Sequence, residues 1–158
     1  MKKTTYFDGL PERGWPDLRD LEPYFLAPSG QEWSYAGGND SWGLHAEGLH
    51  GTEHLDPKTG RVDVDLYMVG HPQHGVTLGY SRWDGREKRK LEYSSKGDLA
   101  RLHEQVHTLH GSRMPAGLFI SFAQAWKAVK EFIETDGELP KSIEWIDVAD
   151  LPPDAFSV

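Results

Sequence analysis

The chain has 158 residues, enough for one domain that buries about two thirds of its unfolded surface. It is 37% hydrophobic and 27% charged, which places it among globular rather than disordered chains. Its net charge of −8 argues against direct binding to phosphate backbones, and its lack of cysteine excludes a disulfide framework, a thiol nucleophile or a cysteine zinc site.

A cysteine-free chain suits a reducing cytoplasm. The start, Met1 to Asp8, has basic residues but no apolar run of the signal-peptide kind. No stretch approaches the ~20 apolar residues of a membrane helix. Residues 1 to 30 are rich in Pro, Gly and aromatics, and Pro16 to Phe25 reads as a short helix ended by Pro28-Ser29-Gly30. The period then changes to two. Trp33 alternates with Tyr35, and Trp42, Leu44 and Ala46 alternate with Gly43, His45 and Glu47.

Asp56-Pro57-Lys58-Thr59-Gly60 is a turn, since Pro fixes φ and Gly supplies the positive φ. The clearest strand follows, with Val62, Val64, Leu66 and Met68 on one face and Asp63, Asp65 and Tyr67 on the other. Val76, Leu78 and Tyr80 form the next strand. Asp84-Gly85 marks a hairpin, and Leu91 with Tyr93 continues beyond it. Strands joined by turns imply an antiparallel meander.

Ser121 to Asp136 carries the strongest helix pattern. Ser121 and Gln124 fit a capping box. Phe122, Ala125, Trp126, Val129, Phe132 and Ile133 recur on one face. Gly137 and Pro140 end the helix, and Ile143 to Ile146 returns as a short strand. The expected class is α+β: an antiparallel sheet with one long C-terminal amphipathic helix packed on one face, in a single domain over residues 1–158.

Charge is unevenly placed. From Glu131 onward eight acidic residues face one basic residue, Lys141, whereas residues 82 to 96 hold Arg82, Arg86, Lys88, Arg89, Lys90 and Lys96. One segment matches a catalytic motif: His103-Glu104-Gln105-Val106-His107 is H-E-x-x-H. On a helix His103 and His107 would share a face and bind zinc while Glu104 activated water, with His110 as a further ligand. Alternation of Leu102, Glu104, Val106 and Thr108 with His103, Gln105, His107 and Leu109 fits a strand instead. There, positions i and i+4 lie ~13 Å apart, too far to share a metal. The pairs His45 with His50 and His54, and His71 with His74, fit no standard metal spacing. No metal and no cofactor is expected.

The order of elements from Asp63 onward has a further feature. Gly117-Leu118-Phe119-Ile120-Ser121-Phe122 leads into the helix, which ends Glu131-Phe132-Ile133-Glu134-Thr135-Asp136-Gly137, and Leu139-Pro140-Lys141-Ser142-Ile143-Glu144-Trp145 closes the pattern. This arrangement resembles the first-numbered immunity-protein family (Imm-one) of bacterial polymorphic toxin systems. Leu78-Gly79-Tyr80 and Leu91-Glu92-Tyr93 sit where that family has paired strands. His103 to His110 departs from the aromatic-rich strand of the family at that place.

The resemblance implies a non-enzymatic antitoxin that binds a cognate toxin domain, often a nucleic-acid deaminase, in the cytoplasm and blocks its active site or substrate groove. The partner would be basic and nucleic-acid-acting, with no direct nucleic-acid or membrane contact by this chain. An acidic protein is steered onto such a groove by charge. Asp63, Asp65, Glu138 and Glu144 are the candidate carboxylates for toxin binding, and Trp42 and Trp83, with Trp33 and Trp145, the candidate aromatics. The rival readings are a small zinc-dependent hydrolase using His103, Glu104 and His107, and a generic intracellular protein-interaction domain.

Overall fold

Strict alternation from Val62 to Met68 makes that strand the centre of the fold, because one face must be buried and the other wetted. A computed structural model describes residues 1–6, 14–33, 40–109 and 112–156. Its main sheet is antiparallel and has six strands in the order β1-β2-β3-β4-β5-β8. These are β1 (Lys2–Tyr6), β2 (Ser41–Glu47), β3 (Val62–His71), β4 (Gly75–Asp84), β5 (Arg89–Ser95) and β8 (Trp145–Asp147). From β2 to β5 the chain meanders, with Leu44 opposite Leu66, Leu66 opposite Tyr80, and Tyr80 opposite Tyr93. Strands β6 (Gln105–His107) and β7 (Arg113–Pro115) form a separate two-stranded ribbon.

Two helices, α1 (Leu18–Leu26) and α2 (Phe122–Glu134), cover one face of the main sheet. Leu44, Val64, Leu66, Met68, Leu78 and Tyr80 point inward to meet Ala125, Trp126, Val129 and Phe132 of α2, and Leu21 and Phe25 of α1. Each fully buried large side chain of this set contributes about 1.5–3 kcal/mol from area removed from water.

Helix α2 has 13 residues, shorter than the expected span. Both ends of that span serve as caps. Ser121 is extended at φ −60°, ψ 155°, and its hydroxyl accepts from Gln124 N, completing the capping box. At the other end Asp136 and Gly137 both turn left-handed, at φ 54° and 99°. The short helix read over Pro16 to Phe25 is α1, of 9 residues, and it shares the same face, so two helices rather than one long helix cover the sheet.

Two other expectations are corrected. The segment 102–109 contributes only the three residues of β6 to a strand. Before it, the Asp98 carboxylate caps Ala100 N at 3.1 Å and winds Leu99–Arg101 into a 3-10 turn. Trp33 does not alternate with a strand partner. It sits left-handed at φ 60°, buried and stacked on Trp42 at 4.5 Å between centroids. Tyr35 and His110 lie outside the described residues. The first residues, to which the sequence assigned no element, form β1, whose register sets Thr5 against Leu44.

Candidate functional site

The sheet face opposite the helices is laid out by register in cross-strand rows. Thr4, His45, Asp65, Ser81 and Glu92 form one row across β1 to β5. On one side runs the row Tyr6, Gly43, Tyr67, Gly79 and Ser94. On the other runs the row Lys2, Glu47, Asp63, Trp83 and Lys90. Period-two alternation places all of them on one surface.

Charge on this face is locally organised. Arg61 grips Asp63 with Nε at 2.9 Å and Nη2 at 3.1 Å, and its Nη1 lies 3.8 Å from Glu47. Lys90 pairs with Glu92 at 2.7 Å. Asp65 instead meets a histidine: His45 Nδ1 is 2.6 Å from Asp65 Oδ1, and His45 Nε2 is 3.4 Å from Glu47 Oε1. The Asp65 carboxylate holds the imidazole above its ordinary pKa of 6.5, against partial burial, and Glu47 acts in the same direction. Asp65 is therefore the carboxylate on this face whose neighbour is neither lysine nor arginine.

Two tyrosines rise from the row beside it. Tyr6 is 51% exposed and Tyr67 43%. The Tyr6 ring lies over Gly43, where a Cβ would come within 2.5 Å of the ring. Partial burial, then Tyr67 and Asp65, push the Tyr6 phenol up to about 12, so it stays a neutral donor. Gly79, on the far side of Tyr67, is different: a Cβ there would meet nothing nearer than Tyr67 O at 4.0 Å.

The residues singled out from the sequence are thus divided. Asp63, Asp65 and Trp83 come together on this face. Trp83 is half-buried, and its indole N–H donates to Pro57 O. Trp42 is core, at 0% exposure between the Trp33 stack and the edge-on Tyr24 ring, and as placed offers no surface to a partner. Trp33 is core as well, and half-buried Trp145 donates to Pro140 O at 2.7 Å.

Glu138 and Glu144 lie elsewhere. Glu138 meets Arg82 at 3.2 Å and His50 at 3.3 Å, beside a cavity of about 350 Å³ lined also by Leu49 and Asp136. Glu144 is exposed just before β8, where its carbonyl accepts from Lys96 N at 3.1 Å. The acidic C-terminal third is therefore not one continuous patch with the sheet face.

The H-E-x-x-H segment lacks the helix that would bring His103 and His107 onto one face. His103 stands in a turn, His107 ends β6, and Glu104 is paired with Arg101 Nε at 2.6 Å. Among the described residues no group of three or more His, Cys, Asp or Glu side chains could hold a metal ion. His71 and His74 pack ring to ring at 4.8 Å, and burial pushes His71 below its ordinary pKa.

Sequence reasoning passed over Tyr6, Tyr67 and Gly79. The outward phase of Tyr67 was readable, but the bare strand beside it depends on cross-strand register.

Among known families, the model described as immunity protein Imm1 matches residues 27–147, from just past α1 to the end of β8. Searches of curated proteins and of solved structures gave no match.

Proposed function

The chain belongs to the immunity protein Imm1 family, and from that premise we propose that it neutralises a cognate toxin domain by stoichiometric binding. Membership assigns it an immunity role in a toxin system and makes a toxin its partner. Immunity proteins of this kind are in general binders rather than catalysts.

The finer reading concerns that partner. It is a basic, nucleic-acid-acting domain of a bacterial polymorphic toxin, with a deaminase the leading class, and the immunity protein acts in the cytoplasm of the producing cell. Binding covers the active site or the substrate groove and requires no cofactor, nucleic acid or membrane. The observation that carries this is the family match over nearly the whole sheet, from β2 through β8. The net charge of −8 supports it, since a groove that binds nucleic acid is basic and draws an acidic partner by complementary charge. Exposed Asp65, Tyr6 and Tyr67 on the sheet face supply contacts of the kind that concentrate interface energy.

Co-expression tests the reading directly. The toxin domain encoded beside this chain should arrest growth alone and be silenced by the chain in a one-to-one complex on gel filtration. Continued arrest, with no complex formed, would reject it.

A further inference from the structure

We infer that Tyr67, Asp65 and the bare strand at Gly79 form a seat for a single arginine side chain presented by the toxin domain. The inference rests on the toxin-binding reading above and names the chemistry of one contact within it.

The two glycines of the tyrosine row behave differently. Gly43 is already occupied, because the Tyr6 ring lies on it. Gly79 has open space above its backbone, bounded by Tyr67 on one neighbouring strand, by Ser81 two residues on, and by buried Ser94 on the other strand. The result is one vacant, flat-floored position beside an exposed aromatic ring.

Asp65 precedes Tyr67 by two residues on the same face, a rise of about 6.6–7 Å, within the reach of one long side chain. Arg61 is committed to Asp63 and Lys90 to Glu92, whereas the neighbour of Asp65 is His45. The position therefore combines an exposed aromatic side chain with a carboxylate open to a further donor, in a molecule of net charge −8.

That combination selects the occupant. A guanidinium is planar, stacks on an aromatic face and donates through two N–H groups to a carboxylate. A lysine ammonium satisfies the carboxylate but not the flat floor. An apolar side chain would strand Asp65 without water, and a phosphate would be repelled by it.

The test uses the full chain and the toxin domain encoded beside it, titrated calorimetrically. Tyr67→Ala, Asp65→Asn and Gly79→Val should each weaken the complex about tenfold or more. Asp150→Asn, on an exposed turn beyond β8, should leave it unchanged. Asp65→Asn is an exposed, nearly isosteric change, so it keeps the test valid even where Gly79→Val folds poorly. On the toxin side, one arginine changed to lysine should reproduce the loss and have no added effect on Tyr67→Ala.

A native complex indifferent to Tyr67→Ala and Asp65→Asn would overturn the seat and leave the toxin-binding reading standing. Sensitivity to both, with no toxin arginine that matters, would overturn the arginine. Absence of any complex with the native chain would overturn the underlying reading and the seat with it.

Discussion

Tyr80 on β4 donates its phenolic hydrogen to the carbonyl of Gly137, 3.0 Å away and buried, tying the middle of the sheet to the residue that closes α2. Desolvation holds the Tyr80 phenol above its ordinary pKa, so it remains a donor at neutral pH. Tyr80→Phe keeps the ring but leaves that carbonyl unpaired, and should cost about 1 kcal/mol or somewhat more. Gly137→Ala should cost at least as much, about 1–3 kcal/mol, because φ is 99° and the new Cβ would approach Val64 Cγ1 to 2.8 Å. Urea unfolding checks both. An alanine at 137 as stable as glycine would contradict the left-handed closure.

The start of α2 makes an independent demand. Ser121 accepts from Gln124 N at 3.2 Å, and Gln124 Oε1 lies 3.4 Å from Ser121 N. Ser121→Ala should lower stability by about 1 kcal/mol and Ser121→Asp should restore most of it, as read from thermal midpoints.

Phe132 is fully buried, with Trp15 at 5.0 Å and Tyr80 at 6.2 Å between ring centroids. Phe132→Ala should cost about 3–5 kcal/mol, from lost transfer energy and from the cavity left between the Trp15 and Tyr80 rings. Phe132→Leu should cost clearly less in the same denaturation series. Equal losses would mean that the ring contacts contribute little beyond volume.

The His45 cluster sets a pH dependence with a definite sign. Its imidazole is held above 6.5 in the folded state, chiefly by Asp65. The stability this contributes is fully present below the unfolded value and disappears as pH rises through the higher folded value. The native chain should therefore lose stability relative to His45→Gln as pH is raised from 6 toward 8. Asp65→Asn should bring the His45 titration down when followed by NMR. A histidine that titrates identically in both chains would remove Asp65 as the cause.

His103 and His107 are exposed and stand on a turn and a short strand. Replacing either with alanine should shift stability by no more than about 0.5 kcal/mol. Neutralisation of the toxin domain should be unaffected. Loss of protection in either variant, with the fold intact by circular dichroism, would restore the segment as functional.

The central strands, the hairpin at Asp84-Gly85 and the capping box were legible because each depends on residues close in sequence. Strand β1 was hidden because Lys2-Lys3-Thr4-Thr5-Tyr6 has almost no apolar alternation, only Thr5 being buried, and its strand character comes from pairing with β2. Trp33 adopts a costly left-handed backbone because Trp42, Phe25 and the carbonyl of Asp40 hold its ring, a tertiary effect that no local pattern carries. The alternation at 102–109 was misleading because Asp98 and the Arg101–Glu104 pair bend the chain first. Of the surface residues, Asp63, Asp65 and Trp83 could be read outward from period two. Glu138 was already engaged with Arg82 and His50, and Trp42 was already spent in the core.

Strand β4 grips α2 at both ends. Val76 exchanges backbone hydrogen bonds with Ile120, both at 2.9 Å, just before the helix begins, and Tyr80 holds Gly137 just after it ends. These inward positions are fixed by the helix, while Gly79 between them and Ser81 just beyond Tyr80 face outward and take no part in holding it. On the proposed reading, scaffold and recognition residues alternate at the Gly79–Ser81 end of this one strand. A lineage of such proteins then follows a changing toxin by altering outward positions such as Ser81, while buried Thr77, and Gly75 against the Ile120 carbonyl, stay with the fold.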